Sequence, residues 1–170
     1  MRTGIGYDIH GLQSGEDFIL GGIKIDYSKG LVGHSDADVL SHSIGDAILG
    51  ATGQGDIGKH FPDTSKEYKN ISSLILLQNI NEKIISVNYE INNIDSTVIC
   101  ESPRLKKYIP VMEQKLAQTL EIPDYDINLK ATTNEGFGVE GQKRAVSCIS
   151  VVTVISVPVH TRKNRTKLEK

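Results

Sequence analysis

The run Ala145-Val146-Ser147-Cys148-Ile149-Ser150-Val151-Val152-Thr153-Val154-Ile155 is apolar on both of its alternating faces. Successive strand side chains point to opposite sides of a sheet, so a strand of this composition needs cover on both. A chain of 170 residues is long enough for one domain with a real core. Helices supply one cover for such a strand, and a neighbouring subunit is the natural source of the other. The order of elements along the chain predicts an α+β sandwich, a mixed or antiparallel sheet covered by helices, assembled as a homo-oligomer.

Strands are expected over residues 2–9, 89–99, 126–131 and 145–157, with a hairpin turning at Gly21-Gly22. Helices are expected from about Asp36 to Gly50, from about Asn70 to Ser86 and from about Leu105 to Leu120, with Pro110 either in the first turns of the last or kinking it. Ser35 or Asp36 is a fair N-cap for the first helix, and Ser102 with Pro103 for the third. Gly53, Gly55 and Gly58 mark a loop closed by His60-Phe61-Pro62-Asp63. Residues 1–157 form one expected domain. Residues 158–170 are basic, have almost nothing to bury, and read as a disordered extension.

The net charge of −2 argues against a dedicated nucleic-acid binder. No apolar stretch reaches the length of a membrane span, and no secretory h-region is visible. Cys100 and Cys148 lie far apart in strand-like runs and read as buried thiols of a reducing compartment, which gives the cytoplasm as the expected location.

Chemistry enters at Asp8 and His10, two apart at the end of the first strand and therefore on one face. Alone, such a pair is common and reads first as a hydrogen-bonded surface pair. His42 is a plausible third ligand, in a helical stripe of Asp38, His42 and Asp46 at i, i+4 and i+8. Two imidazoles and one carboxylate leave a tetrahedral metal one open position, as catalytic rather than structural zinc sites do. The segment Gly136 to Gly141 matches G-x-G-x-x-G, but a β-branched strand follows it instead of a helix, so a dinucleotide site is not expected and a mobile Gly-rich loop is. Lys130 to Glu135 places a cation, two hydroxyls and a carboxylate at a strand end. It reads equally as a phosphate and divalent-ion site or as a β-turn. Asp56 in Asp56-Ile57-Gly58-Lys59 either accepts bonds from sugar hydroxyls or stabilises a turn.

Taken together, Gly6-Tyr7-Asp8-Ile9-His10, Gly33 to Asp38, His42, Asp46, Gly55 to Lys59, Phe61-Pro62-Asp63 and Lys130 to Glu135 closely resemble the 2-C-methyl-D-erythritol 2,4-cyclodiphosphate synthase family of non-mevalonate isoprenoid biosynthesis. The resemblance runs in order from Met1 to about Val157. It implies a homotrimer with active sites between adjacent subunits. It implies Zn²⁺ on Asp8, His10 and His42, and a second ion, Mg²⁺ or Mn²⁺, on Glu135. The implied substrate is the cytidine-diphosphate derivative of methylerythritol 2-phosphate, whose own 2-phosphate attacks the β-phosphorus to release CMP. His34 and Thr133 match the transition-state stabilisers, and Ser35 contacts the same end of the substrate. Asp56, Ile57 and Gly58 match the residues that hold the methylerythritol hydroxyls, with Phe61, Pro62, Asp63, Thr64 and Ser65 lining the same part. Cys100, Glu101, Ser102 and Pro103, then Arg104, Leu105 and Lys106, match a cytosine pocket built from backbone groups. Thr132 and Asn134 complete the phosphate side.

Two departures from the family stand at Val139, usually aromatic, and Gln142, usually Arg, with Lys143 and Arg144 in place of Gly and Glu. They bear on substrate contacts there and on the trimer's central channel, which in many family members accepts an isoprenoid diphosphate. Two other classes compete with this reading. One is a zinc-dependent nucleotide hydrolase with Asp38 or Asp46 as base. The other is a zinc-stabilised binding protein without turnover.

Overall fold

A computed structural model describes residues 1–62, 64–65 and 68–157, so Asp63 and the basic tail lie outside the described residues. The elements are β1 (Arg2–Ser14), β2 (Ile19–Leu20), β3 (Ile23–Lys24), β4 (Lys29–Val32), α1 (Val39–Thr52), α2 (Ile57–His60), α3 (Ser73–Ser86), β5 (Tyr89–Ile99), α4 (Ile109–Leu120), β6 (Ile127–Thr132), α5 (Gly138–Gly141) and β7 (Ala145–Ser156). The five-stranded sheet has the order β4-β1-β7-β5-β6. Only β5 and β6 run parallel; every other pairing is antiparallel. The expected α+β architecture with a mixed sheet is therefore present, and β2–β3 forms the expected hairpin.

The strand with two apolar faces, β7, lies at the centre of the sheet between β1 and β5. One of its faces is packed on α1, with Val146, Cys148, Val152 and Val154 buried against Leu40, Ile44 and Ile48. The opposite face carries Ile149 and Val151, beside Ile5, Tyr7 and Ile9 of β1, and all five are exposed in the single chain. One of the two expected covers is thus supplied within the chain.

Helix α1 reaches the sheet closely because β1 presents glycine to it. A Cβ on Gly6 would lie 1.9 Å from the Ser43 carbonyl oxygen, and one on Gly4 2.0 Å from that of Ala47. The buried hydroxyls at this contact satisfy one another: Ser150 Oγ lies 2.7 Å from Ser43 Oγ and 2.8 Å from Ser96 Oγ.

Several boundaries differ from the sequence reading. Helix α1 is capped by Asp38, not by Ser35 or Asp36, and has no acidic residue in its first turn. The Asp38 carboxylate is fully buried and accepts from Ser41 N, Ser41 Oγ, Gly21 N and Gly22 N. It therefore leaves the expected polar stripe and ties the helix start to the β2–β3 turn. Helix α4 starts at Ile109, with Pro110 in its first turn. Ser102 and Pro103 precede it in a loop, joined by a cis peptide, and cap nothing. Helix α3 starts at Ser73 rather than near Asn70. Two expected loops contain single helical turns: α2, capped by Asp56, and α5, within the Gly136–Gly141 segment. Strand β4 had no signal in the sequence, because four residues are too few to show a period.

Candidate metal centre and substrate site

Strand β1 delivers Asp8 and His10 from the same face as Gly4 and Gly6, and α1 delivers His42 one turn after its cap. The three side chains converge. Asp8 Oδ2 lies 2.9 Å from His10 Nε2 and 3.0 Å from His42 Nδ1, and the two ring nitrogens are 3.2 Å apart. Donors arranged tetrahedrally around zinc at its usual bond lengths are separated by about 3.3 Å. Among the described residues this is the one group of three or more metal-binding side chains, and its ligand atoms lie within 4.8 Å of one another.

Each ligand is oriented from behind. Asp8 Oδ1 accepts the Ile9 N–H, which turns Oδ2 toward the imidazoles. His10 Nδ1 lies 2.7 Å from the Val32 carbonyl oxygen, so it carries the proton and Nε2 presents its lone pair. Gly33 allows that contact, since a Cβ there would stand 2.8 Å from His10 Cε1. His42 Nε2 lies 2.9 Å from Ser73 Oγ and 3.0 Å from Ser35 Oγ, leaving Nδ1 for the centre. Burial alone would raise the Asp8 pKa, but the His10 and His42 rings, when they carry a proton toward it, outweigh burial and hold the carboxyl well below the usual range. Burial would likewise lower His10. The Asp8 hydrogen bond and charge reverse this and raise it. The donor set, the spacing and the outer hydrogen bonds all fit a tetrahedral divalent ion with one open position.

Asp46, the other end of the expected stripe, accepts the Ile57 N–H at 2.8 Å and so holds α2 against α1. Asp56 Oδ1 accepts the Lys59 N–H, one function of that carboxylate, and leaves Gly58 and the second oxygen exposed. His34 and Ser35 are half-buried in the loop before α1, and the His34 carbonyl accepts the Asn70 N–H. Phe61 packs edge-on against Tyr68 beside exposed Pro62 and Thr64.

The other candidate residues gather at the far edge of the sheet. Asp8 pairs with Cys148, Cys148 with Val98, and Val98 with Ala131, so one row crosses β1, β7, β5 and β6. Three strand spacings put Thr132 and Thr133 about 14 Å from Asp8 along that row. The Cys100 N–H donates to the Thr132 carbonyl, which joins the 100–106 segment to the end of β6. Glu101 Oε2 accepts from Asn134 N at 3.1 Å, and Thr133 Oγ1 donates to Glu135. A cavity of about 640 Å³ opens between Asp26, Pro103, Arg104, Lys106, Lys107 and Tyr108. Val139 and Gln142 are exposed at α5 and just after it, and Gln142 Oε1 accepts from Arg144. Val32 and Ser73, which hold the histidine rings, and the room that Gly33 leaves for His10 were not read from the sequence. Only the glycine directly before His34 gave any signal.

Residues 1–155 match the model of the YgbB family. The chain belongs to the YgbB family. A relative from Clostridium acetobutylicum, named 2-C-methyl-D-erythritol 2,4-cyclodiphosphate synthase, is 52% identical over 155 residues, covering 91% of this chain and all of that one. A solved structure described as IspF from Plasmodium falciparum in complex with CDP superposes with a TM-score of 0.81 at 34% identity, covering 92% of this chain and 97% of the other. The bifunctional IspDF of Campylobacter jejuni matches with a TM-score of 0.89 at 40% identity, covering 92% of this chain; the present chain spans 42% of that longer protein.

Proposed function

We propose that this YgbB-family chain converts 4-diphosphocytidyl-2-C-methyl-D-erythritol 2-phosphate to 2-C-methyl-D-erythritol 2,4-cyclodiphosphate and CMP. The observation that carries this reading is the convergence of Asp8, His10 and His42 on one point with an open position, in a chain half identical to synthases of that name. An oxygen of the substrate's 2-phosphate bonds to the β-phosphorus, and the bond from that phosphorus to the bridging oxygen breaks. CMP departs with the electron pair. No protein nucleophile is required, so positioning and charge neutralisation carry the rate. Zinc on the triad and Mg²⁺ or Mn²⁺ on Glu135 would neutralise developing phosphate charge when bound.

The chain's own residues divide the work. Asp56 and Gly58, with Phe61 to Ser65, hold the methylerythritol end, and His34 and Ser35 sit beside the triad. Asp63 belongs to this group by resemblance and lies outside the described residues. Residues 100–106 take the cytosine, and Thr132 to Glu135 take the diphosphate. Because the two halves stand about 14 Å apart across one sheet, one short diphosphate cannot use both halves of a single chain. A homotrimer with each site shared between neighbours resolves this, and its interface would cover Ile5, Tyr7, Ile149 and Val151. No helix among the described residues is long and apolar enough to cross a membrane, and Cys100 and Cys148 are free buried thiols. Both fit action in the cytoplasm.

The hydrolase alternative loses its nominated bases: Asp38 is sealed in the helix cap and Asp46 holds α2. Phosphorus NMR of protein, substrate, Zn²⁺ and Mg²⁺ tests the proposal. A cyclic diphosphate with equal CMP is expected. CMP beside a linear product would mean hydrolysis, and unchanged substrate would mean a binding protein.

A further inference from the structure

We propose that Ser73, held by Asp36, is a positioning residue for the metal, orienting the His42 ring through its outer nitrogen. The inference rests on the metal reading above. Two hydroxyls reach His42 Nε2, from Ser73 at 2.9 Å and from Ser35 at 3.0 Å. They are not equivalent. Ser73 Oγ donates its single proton to Asp36 Oδ1, so toward His42 it can only accept. That places the ring proton on Nε2 and the lone pair on Nδ1, the atom facing Asp8 and His10. Ser35 has no carboxylate fixing its proton. It can donate or accept, and so specifies neither ring state.

The Asp36 carboxylate is itself fixed. Its Oδ2 accepts the Ser73 N–H at 3.0 Å, and Oδ1 also receives the Asp38 N–H. Ser72, the residue before α3, makes no side-chain cap bond. Asp36 takes that place from across the fold, where the fourteen-residue helix favours a negative charge. Ser73 is fully buried, while Ser35 is half-buried beside the site. Anchoring the ring through Ser73 leaves the proton of Ser35, whose oxygen accepts the Ala37 N–H, able to turn to a substrate.

The test starts from the zinc-loaded full chain and measures zinc retained against a series of competing chelator concentrations. Ser73→Ala is expected to weaken retention about 10- to 100-fold, while Ser73→Thr and Ser35→Ala stay within about threefold of the parent. Equal retention in Ser73→Ala and the parent overturns the inference while leaving the metal reading standing. A loss in Ser73→Thr as large as in Ser73→Ala also overturns it, because packing rather than the hydroxyl would then be responsible. A parent chain that holds no zinc overturns both. Should Ser73→Ala fail to fold by circular dichroism, Asp36→Asn decides: it puts an NH2 donor in place of one of the two oxygens that accept the Ser73 N–H and hydroxyl, so a comparable loss is expected, and undiminished retention overturns the proposal.

Discussion

His42 meets the metal centre with one ring nitrogen and the α3 end of the fold with the other. Removing it leaves Asp8 and His10, a pair that on its own reads from the sequence as a surface hydrogen bond. His42→Ala is expected to lose its zinc and nearly all turnover while keeping a cooperative thermal transition; elemental analysis with a melting curve checks this, and an active, zinc-free variant would refute the assignment. The two cysteines permit a second test. Burial pushes the thiols of Cys100 and Cys148 up to about 11. At pH 8 only about one in a thousand would be thiolate, so an aromatic disulfide reagent should label neither in the folded chain and both in denaturant. Rapid labelling of either in the native state would show that its surroundings open. The triad was legible because it obeys two short periods, two residues along a strand and one position on a helix. Val32 and Ser73 obey none. They meet the histidine rings from 22 and 31 residues away, through tertiary packing that no local pattern encodes.

Helix α1 and strand β1 form the contact on which the site stands, and that contact is glycine against backbone. Two-residue alternation along β1 puts Gly4 and Gly6 on the face of Asp8, but nothing local says what they meet. Adding a methyl at Gly6 would drive it into the Ser43 carbonyl, so the helix must move outward and carry His42 with it. Gly6→Ala is therefore expected to cost about 3 kcal/mol or more, at the upper end for overpacked cores, and to weaken zinc binding as well. Urea unfolding with a chelator titration measures both, and an unchanged midpoint would mean that the helix can shift freely. Element identities were readable because β7 is a near-continuous apolar run of β-branched residues and apolar periods of 3.6 run long in α1 and α3. Element starts were not. Asp38 replaced Ser35 and Asp36 as the cap because the β2–β3 turn offers it two further N–H donors. Helix α4 yielded its expected first turn to a loop, and Pro110 stands near its true start.

At the scale of the whole molecule, the open face of the sheet and the divided site lead to one prediction. Ile5 pairs with Val151 and Tyr7 with Ile149 across β1 and β7, which makes a contiguous apolar patch. A patch in the middle of a sheet, on the face away from the helices, is more than scattered surface hydrophobicity and is what the proposed trimer would cover. The apolar pattern of β7 announced this second cover but could not supply it from within one chain. In the proposed trimer the patch lies at the interface, whereas the metal triad lies on the opposite face and comes from one chain alone. Ile149 is 41% exposed in the single chain, so a charge there should be tolerated by the fold. Ile149→Asp is expected to sediment as a monomer and to lose turnover, because the diphosphate residues of one chain stand about 14 Å from its own triad. It should still hold one zinc per chain. Separating assembly from metal binding in this way is decisive: a monomer with full activity would mean that a single chain closes the whole site, and the shared-site proposal would fall while the metal centre stood.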